Sequence, residues 1–523
     1  VSGELRSDVG ARHNAAERIL AGSGADDGAV ALRLRADEER SDVSYGELRG
    51  RVRQCAEALA ALGVAGEQRV LLALPDCPEL VFAFLGSLWR GAVPVVVSPF
   101  LSADEHAFFV ADAQPAAIVA GEPLAGELAR RCAERGRAPR VLGVGARRTG
   151  SFWRALLAAS DGRGAADTHA EDAAFWLYSS GTTGRPKGVI HLHASIGACC
   201  DAYGQAVLGV GPADVSYSTS KAFFAYGLGA SLYFPLAAGA SVVLSPEPFR
   251  ADRSWALLAS ERPTLFFSVP SVYRALLSAA PRDARASLGS VRRCLSAGEA
   301  LPPGVLAAWG AATGREILDG LGSTEMLHIY LTNLPGAARP GALGSVVPGY
   351  DVKIVDEQLR PAGDGEPGMM LVRGPSMASG YWRRVAATRR AFQGEWYVSG
   401  DRAVRDADGG YRLLGRADDL MKIAGQWVAP GDVEEVVGAV PGVRECAVVG
   451  RAGSEGLEEL VAFVVATDAA EAAALAPAVH ERCAATLPRF KRPREVSVIA
   501  ALPRTATGKV QRFQLRELAK RAP

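Results

Sequence analysis

Up to about residue 340, short β-branched runs alternate along this chain with longer Ala- and Leu-rich stretches. The runs include 70–74, 95–97, 117–119, 175–178, 241–244 and 265–269, and stretches such as 45–62 and 254–261 read as helices. A strand buried on both faces reads as a continuous apolar run, and a parallel neighbour needs a long crossover, usually a helix. The alternation therefore predicts α/β architecture, with parallel sheets covered by helices. Past Pro340 the runs shorten to 350–355 and 369–372, with Gly, Pro and Asp turns between them, which predicts a small β-rich, more antiparallel lobe. Beyond Gly415 come strands at 447–449 and 460–465, a helix near 469–486, a strand at 496–499 and a terminal helix. That is a compact α+β unit of about 100 residues, enough for a domain of its own.

Composition narrows the function classes. The 523 residues suggest roughly two to four domains. A net charge of +1 gives no reason to expect a nucleic-acid or anionic-membrane partner. Cysteines 55, 77, 132, 199, 200, 294, 446 and 483 show no C-x-x-C spacing and read as scattered reduced thiols of a cytoplasmic protein. Residues 1–12 are too polar for a signal peptide. The most apolar stretch, 80–97, is interrupted by Arg90, Gly91 and Pro94, whereas a membrane span needs about 20 mostly apolar residues. Asp76-Cys77-Pro78-Glu79 reads instead as a capping box that starts a helix near Cys77. His191-Leu192-His193 lacks a Cys/His partner cluster and reads as ordinary packing rather than a metal site. Gly143–Gly150 lacks the last spacing of a dinucleotide fingerprint.

The segment Tyr178-Ser179-Ser180-Gly181-Thr182-Thr183-Gly184-Arg185-Pro186-Lys187-Gly188 follows a predicted strand. Its glycines let backbone amides approach an anion, and four hydroxyls and Lys187 add donors. The spacing is not that of a Walker A loop. This segment resembles the phosphate loop of the adenylate-forming superfamily of acyl-CoA synthetases, adenylation domains and luciferases. Further motifs follow in that family's order, so the resemblance covers nearly the whole chain. They are Ser296-Ala297-Gly298-Glu299-Ala300, Asp319-Gly320-Leu321-Gly322-Ser323-Thr324-Glu325, Gly400-Asp401, Gly415-Arg416-Ala417-Asp418-Asp419 and Pro503 through Gly508-Lys509.

The resemblance implies an N-terminal domain over 1–417 that carries the ATP and acid sites, and a small mobile C-terminal domain over 418–523. It implies ATP, Mg²⁺ and coenzyme A as cofactors. Ser179 to Gly184 and Lys187 would hold the β,γ-phosphates, and Gly298, Glu299 and Ala300 would line adenine. The 319–325 segment would line adenine, α-phosphate and metal, and Asp401 would bind the ribose, with Arg416 in the nucleotide-binding set. Glu325 and Thr182 would hold the metal, Thr182 and Thr324 would serve catalysis, and Lys509 would be the catalytic lysine. Asp418 would be the pivot about which the C-terminal domain turns. That rotation would replace Lys509 by the 422–430 segment, with Lys422, Gly425 and Trp427 on the CoA side.

These residue types suit the chemistry. A carboxylate attacking the α-phosphate of ATP brings two anions together, so fixed cations and dipoles must neutralise charge in the transition state. Mg²⁺ is a hard ion that prefers oxygen ligands, which a glutamate supplies. For Lys509 a solvated surface lysine fits the loop equally well, so the resemblance alone carries its role.

The acid pocket is expected from two segments, 221–229 and 320–329. Phe224, Ala225, Tyr226 and Gly227 in the first, with Gly320, Gly322, His328 and Ile329 in the second, offer flat walls. Ala225, Gly227 and Gly229 leave room between them, which suits an aromatic ring better than an alkyl chain. Both segments, with Gly425-Gln426-Trp427-Val428, resemble those of benzoate–CoA ligases. Two departures stand out: Phe224 occupies a position where many relatives carry histidine, and Asp432 replaces the usual glutamate in Pro430-Gly431-Asp432-Val433-Glu434. Benzoate, anthranilate and hydroxybenzoates all remain open as the acid. The chain runs only fourteen residues past Lys509, too few for a fused carrier domain. The alternative acceptor is a separate carrier protein. The Pro503–Lys509 arrangement also resembles the site at which a protein acetyltransferase modifies bacterial members of the family.

Overall fold

In the computed structural model, residues 12–22, 24–160, 162, 164–180, 185–423, 426–453, 458–468, 472–504 and 510–521 are described; for 22, 180, 427 and 521 this covers the backbone only. The chain forms two compact units. One comprises Val1–Ser179, Pro186–Val352 and Val372–Tyr397, and the other Ser180–Arg185, Lys353–Leu371 and Val398–Pro523.

The first unit holds two large sheets. A seven-stranded sheet runs in the order Gly380–Tyr381, Pro186–Leu192, Ala173–Ser180, Val93–Val96, Arg69–Ala73, Ala117–Gly121, Arg140–Val144. From Ala173–Ser180 to Arg140–Val144 neighbours are parallel. Leu71, Val95, Ile118 and Trp176 form its core with Phe109 and Leu128 of the covering helices. A nine-stranded sheet runs Ser345–Val346, Ile329–Thr332, Ile317–Gly322, Arg293–Ser296, Leu265–Ser268, Val215–Ser218, Ser241–Leu244, Val30–Arg35, Arg40–Ser44. Its interior is parallel and its edges antiparallel. Trp255, Phe266, Tyr273 and Trp309 are buried in its core. The expected α/β architecture is therefore present, and the predicted strands fall within a few residues of the observed ones.

The helix near Cys77 forms as Pro78–Trp89, with Pro78 at its first position, and the strand Val93–Val96 follows it. The expected capping box does not form. The Asp76 carboxylate accepts instead from the Ala222 amide, 2.9 Å away, and Glu79 accepts from Trp153 Nε1 at 3.0 Å. Long-range partners thus outcompete the local cap. No helix among the described residues is long and apolar enough to cross a membrane.

In the second unit residues 401–405 of the strand Trp396–Arg405 pair antiparallel with Tyr411–Arg416, with Asp401 opposite Arg416. The hairpin Met421–Ile423/Gln426–Val428 and the helix Pro430–Gly438 follow. A three-stranded sheet, Val443–Ala452, Glu458–Ala466 and Glu495–Val498, is covered on both faces. Because side chains alternate along a strand, Val448 and Val464 pack toward the helices Pro430–Gly438 and Ala472–Thr486, while Val449 and Phe463 pack toward Arg512–Arg521.

Candidate active site

In the first unit, two of the singled-out segments sit at carboxyl ends of parallel strands, where open α/β sheets bind ligands. Ser296 ends the strand Arg293–Ser296, and Gly298, Glu299 and Ala300 follow in an exposed turn. Asp319, Gly320, Leu321 and Gly322 lie on the adjacent parallel strand Ile317–Gly322. Ser323 then caps a short 3₁₀ turn, Thr324–Met326, by accepting from the Met326 amide at 3.2 Å. Burial pushes the Asp319 carboxyl up to about 7. In the other sheet, Ala173–Ser180 leads to the glycine-rich loop, of which Gly181, Thr182, Thr183 and Gly184 lie outside the described residues.

Glu325 is where the two sheets meet. It is 7% exposed. Ser179 Oγ donates to its Oε1 at 3.0 Å and Tyr381 Oη donates to the same oxygen at 2.8 Å. Neither hydroxyl engages Oε2. Tyr381 was not singled out from the sequence; its neighbours Gly380 and Trp382 mark only a turn, and its partner lies 56 residues away. Lys187 Nζ sits 4.3 Å from the Tyr381 ring centroid. Among the described residues no group of three or more His, Cys, Asp or Glu side chains is gathered as a metal site. A single buried carboxylate with oxygen neighbours nonetheless fits Mg²⁺, which usually takes one or two carboxylates and completes its shell with phosphate oxygens and water.

The two acid-pocket segments come together. The His328 ring is buried among Tyr203, Tyr226 and Phe234, with centroids 5.2, 5.4 and 4.7 Å away, and Tyr233 at 6.4 Å. Burial pulls its imidazole down to about 3, so it is neutral at ordinary pH. The glycines do not leave the room expected of them. A Cβ on Gly227 would lie 2.1 Å from the Lys221 carbonyl oxygen, and one on Gly229 would lie 2.7 Å from the His328 ring. Both glycines permit close packing instead. Gly320 and Gly322 do the same against Ile329 and the His328 carbonyl. Lys221, the first residue of this segment, and Asp76, read from the sequence as part of a helix cap, anchor the segment from its start: the lysine ammonium donates to the Ser245 carbonyl and Asp76 accepts from the Ala222 amide. Phe224 caps the short helix Ala225–Leu228.

His191 and His193 prove to be packing residues: His191 stacks on Phe175 at 4.9 Å and His193 Nδ1 accepts from the Ala15 amide at 3.0 Å. Cys199 and Cys200 are buried.

In the second unit Asp401 is 6% exposed, and its Oδ1 accepts from Arg416 Nη1 at 3.1 Å. The same nitrogen donates to the Ser399 carbonyl at 2.7 Å. Gly400 has φ +74°, and a Cβ there would come 3.0 Å from the Arg416 guanidinium, so glycine is needed for this pairing. Beyond it, Arg516 Nη2 donates to the Asp418 carbonyl at 2.7 Å and to the Asp419 carboxylate. The Lys422 amide donates to Glu458. Asp432, the shorter acid, accepts from Lys491 at 2.6 Å, and Glu434 accepts from the Val448 amide at 2.7 Å. Gly425 and Lys509 lie outside the described residues, as do the side chains of Ser180 and Trp427.

A family profile for AMP-binding enzymes matches residues 22–382, and one for the AMP-binding enzyme C-terminal domain matches 432–509. The 4-hydroxybenzoate–CoA/benzoate–CoA ligase of Rhodopseudomonas palustris is 38% identical over 487 residues, covering 92% of this chain and 90% of that protein. The crystal structure of an anthranilate CoA ligase, AuaEII, in complex with anthranoyl-AMP matches with a TM-score of 0.90 at 34% identity, covering 98% of both chains. A benzoate CoA ligase from Burkholderia xenovorans LB400 matches with a TM-score of 0.84 at 37% identity, covering 96% of this chain and 99% of that one. With profiles spanning both parts and relatives similar along nearly the whole length, the chain belongs to the AMP-binding enzyme family of ATP-using, adenylate-forming ligases.

Proposed function

We propose that the protein is an ATP-dependent aryl-acid–CoA ligase that joins a benzoate, or an aminobenzoate such as anthranilate, to coenzyme A. The observation that carries this reading is the meeting of the two pocket segments, with the neutral His328 ring packed against Tyr226 of the other segment and against Tyr203 and Phe234. Likeness to benzoate and anthranilate ligases along nearly the whole chain supports it. In the first step a carboxylate oxygen attacks the α-phosphorus of ATP, the bond to the β-phosphate oxygen breaks, and pyrophosphate leaves. In the second the CoA thiol loses its proton and attacks the acyl carbon, forming the thioester as AMP departs.

The residues divide this work. The 179–187 loop, with Thr182, Thr183 and Lys187, holds the β,γ-phosphates. Gly298, Glu299 and Ala300 line the adenine. Asp401, oriented by Arg416, accepts from the ribose hydroxyls. Glu325 and Thr182 would hold Mg²⁺, which would supply charge neutralisation on the phosphate oxygens. Thr324 donates to the α-phosphate, and Lys509 supplies the cation between acid and ribose-phosphate. Lys422, Gly425 and Trp427 serve the thiol step.

Incubation with ATP, benzoate or anthranilate, and either CoA or a holo-carrier protein tests the acceptor. An aryl-CoA mass is expected. Loading of the carrier alone would make the protein an aryl-acid adenylation enzyme with a separate carrier.

Ala225→Phe brings a second ring to the half-buried start of the Ala225–Leu228 helix. It should raise KM for benzoate roughly 10- to 100-fold and leave KM for ATP within about two-fold. Unchanged benzoate KM would move the pocket elsewhere. Gly227→Leu is a poor test, because it collides with the Lys221 backbone. His328→Ala removes the neutral imidazole. The ratio of kcat/KM for anthranilate to that for benzoate should fall about 10-fold, the order expected for loss of one hydrogen bond of ordinary net strength. An unchanged ratio would remove His328 from ring recognition.

A further inference from the structure

Glu325 does not sit in its turn unaided. The turn Thr324–Met326 hangs from the nine-stranded sheet, and the segment 376–381, which ends in the edge strand of the seven-stranded sheet, grips it at three points. Ser376 Oγ donates to the Met326 carbonyl at 2.7 Å, the Ala378 amide donates to the Glu325 carbonyl at 2.8 Å, and Tyr381 Oη donates to Glu325 Oε1. Ser376 is itself joined to the Tyr350 hydroxyl, 2.6 Å away. The first two contacts fix the backbone of the turn. The third fixes the plane of the carboxylate.

Tyr381 is well placed for that task. Its strand is held in register against Val189 and Ile190, and its ring packs with Val189 and Ala378 and lies edge-on to Phe392 at 5.4 Å. The hydroxyl therefore stands on a rigid support. The face of the same ring carries the Lys187 ammonium at 4.3 Å. One side chain thus touches the carboxylate assigned to the metal and a cation of the phosphate loop. By donating to Oε1, Tyr381 and Ser179 leave Oε2 as the oxygen they do not engage. A ligand carboxylate oriented by outer partners binds its ion more tightly than one free to rotate.

We propose that Tyr381 is a positioning residue for the adenylation step: its hydroxyl locks Glu325 in the rotamer that presents Oε2 to the metal, and its ring spaces Lys187 from Glu325. The proposal rests on the reading that Glu325 holds the metal ion. Tyr381→Phe deletes the hydroxyl and keeps the ring, its packing and its contact with Lys187.

The direct readout is Mn²⁺ binding in the presence of a non-hydrolysable ATP analogue, followed by electron paramagnetic resonance on the full chain. Tyr381→Phe should weaken Mn²⁺ about 10-fold, at the lower end of what loss of an outer partner costs. The Mg²⁺ concentration for half-maximal pyrophosphate release should rise by a similar factor, and kcat at saturating Mg²⁺ should return to within about three-fold of the parent. A merely structural role would lower the melting temperature or kcat without moving either metal constant, and that result overturns the proposal. Glu325→Gln separates the two layers. If it weakens Mn²⁺ while Tyr381→Phe does not, the positioning role is wrong and the metal assignment stands. If Glu325→Gln leaves Mn²⁺ binding unchanged, the metal assignment fails and the positioning role falls with it. Should Tyr381→Phe fold poorly, Ser179→Ala removes the other donor to Oε1 and should shift both metal constants in the same direction; unchanged constants there would equally overturn the locked carboxylate.

Discussion

Lys509→Ala is expected to lower adenylation about 10²- to 10³-fold, the usual cost of removing one fixed group that stabilises transition-state charge. Thioester formation from supplied aryl-adenylate and CoA should stay within a few-fold of the parent. The split follows from the chemistry. Attack of a carboxylate on the α-phosphate concentrates negative charge, whereas a thiolate attacking an acyl-adenylate has a ready leaving group. Pyrophosphate release measures the first step, and thioester formation from chemically made adenylate measures the second. Equal losses in both would make Lys509 a structural residue. Acetylation of Lys509 removes the same charge and should reproduce the same split.

Asp418→Pro gives the mirror image. The turn around Asp418 is held by the Ala417 amide on the Gly400 carbonyl and by the Asp419 and Leu420 amides on the Arg416 carbonyl. None of these three bonds uses the amide of residue 418, so a proline there deletes none of these donors. It does fix φ at 418 and restricts Ala417. If Asp418 is the pivot, adenylation stays within about three-fold and CoA ester formation falls by at least about 10-fold, since a hinge acts through φ/ψ change at a few residues. Full CoA ester formation in this variant would remove the hinge assignment.

The parallel sheets were legible because strands buried on both faces, such as Leu71–Ala73 and Ser241–Leu244, are short continuous apolar runs. The hairpin Val30–Arg35/Arg40–Ser44 was harder to see, because arginines 33, 35 and 40 interrupt its apolar pattern at a sheet edge. The order of the motifs singled out Ser179, Glu325 and Asp401; the first two lie at or just beyond a strand end, and Asp401 lies in mid-strand beside Gly400. What the sequence hid were partners set by tertiary packing. Asp76 read as a helix cap and instead serves the Ala222 amide across 146 residues. Gly227 and Gly229 read as open space and instead admit the Lys221 backbone and the His328 ring. Tyr381 carried no signal beyond a glycine and a tryptophan beside it. A glycine in a sequence reports permission for close approach, and only the fold tells whether a ligand or the protein itself takes it.

The measurement that bears most directly on the central claim is ATP–pyrophosphate exchange with an aryl acid in the absence of CoA. An acyl-adenylate intermediate requires that pyrophosphate return to ATP whenever benzoate or anthranilate is present, with no thiol added. The exchange should depend on the aryl acid, saturate with it and continue without CoA, with acetate and long-chain fatty acids supporting little. Exchange that starts only when CoA is added, or that prefers an aliphatic acid over every benzoate, would contradict it.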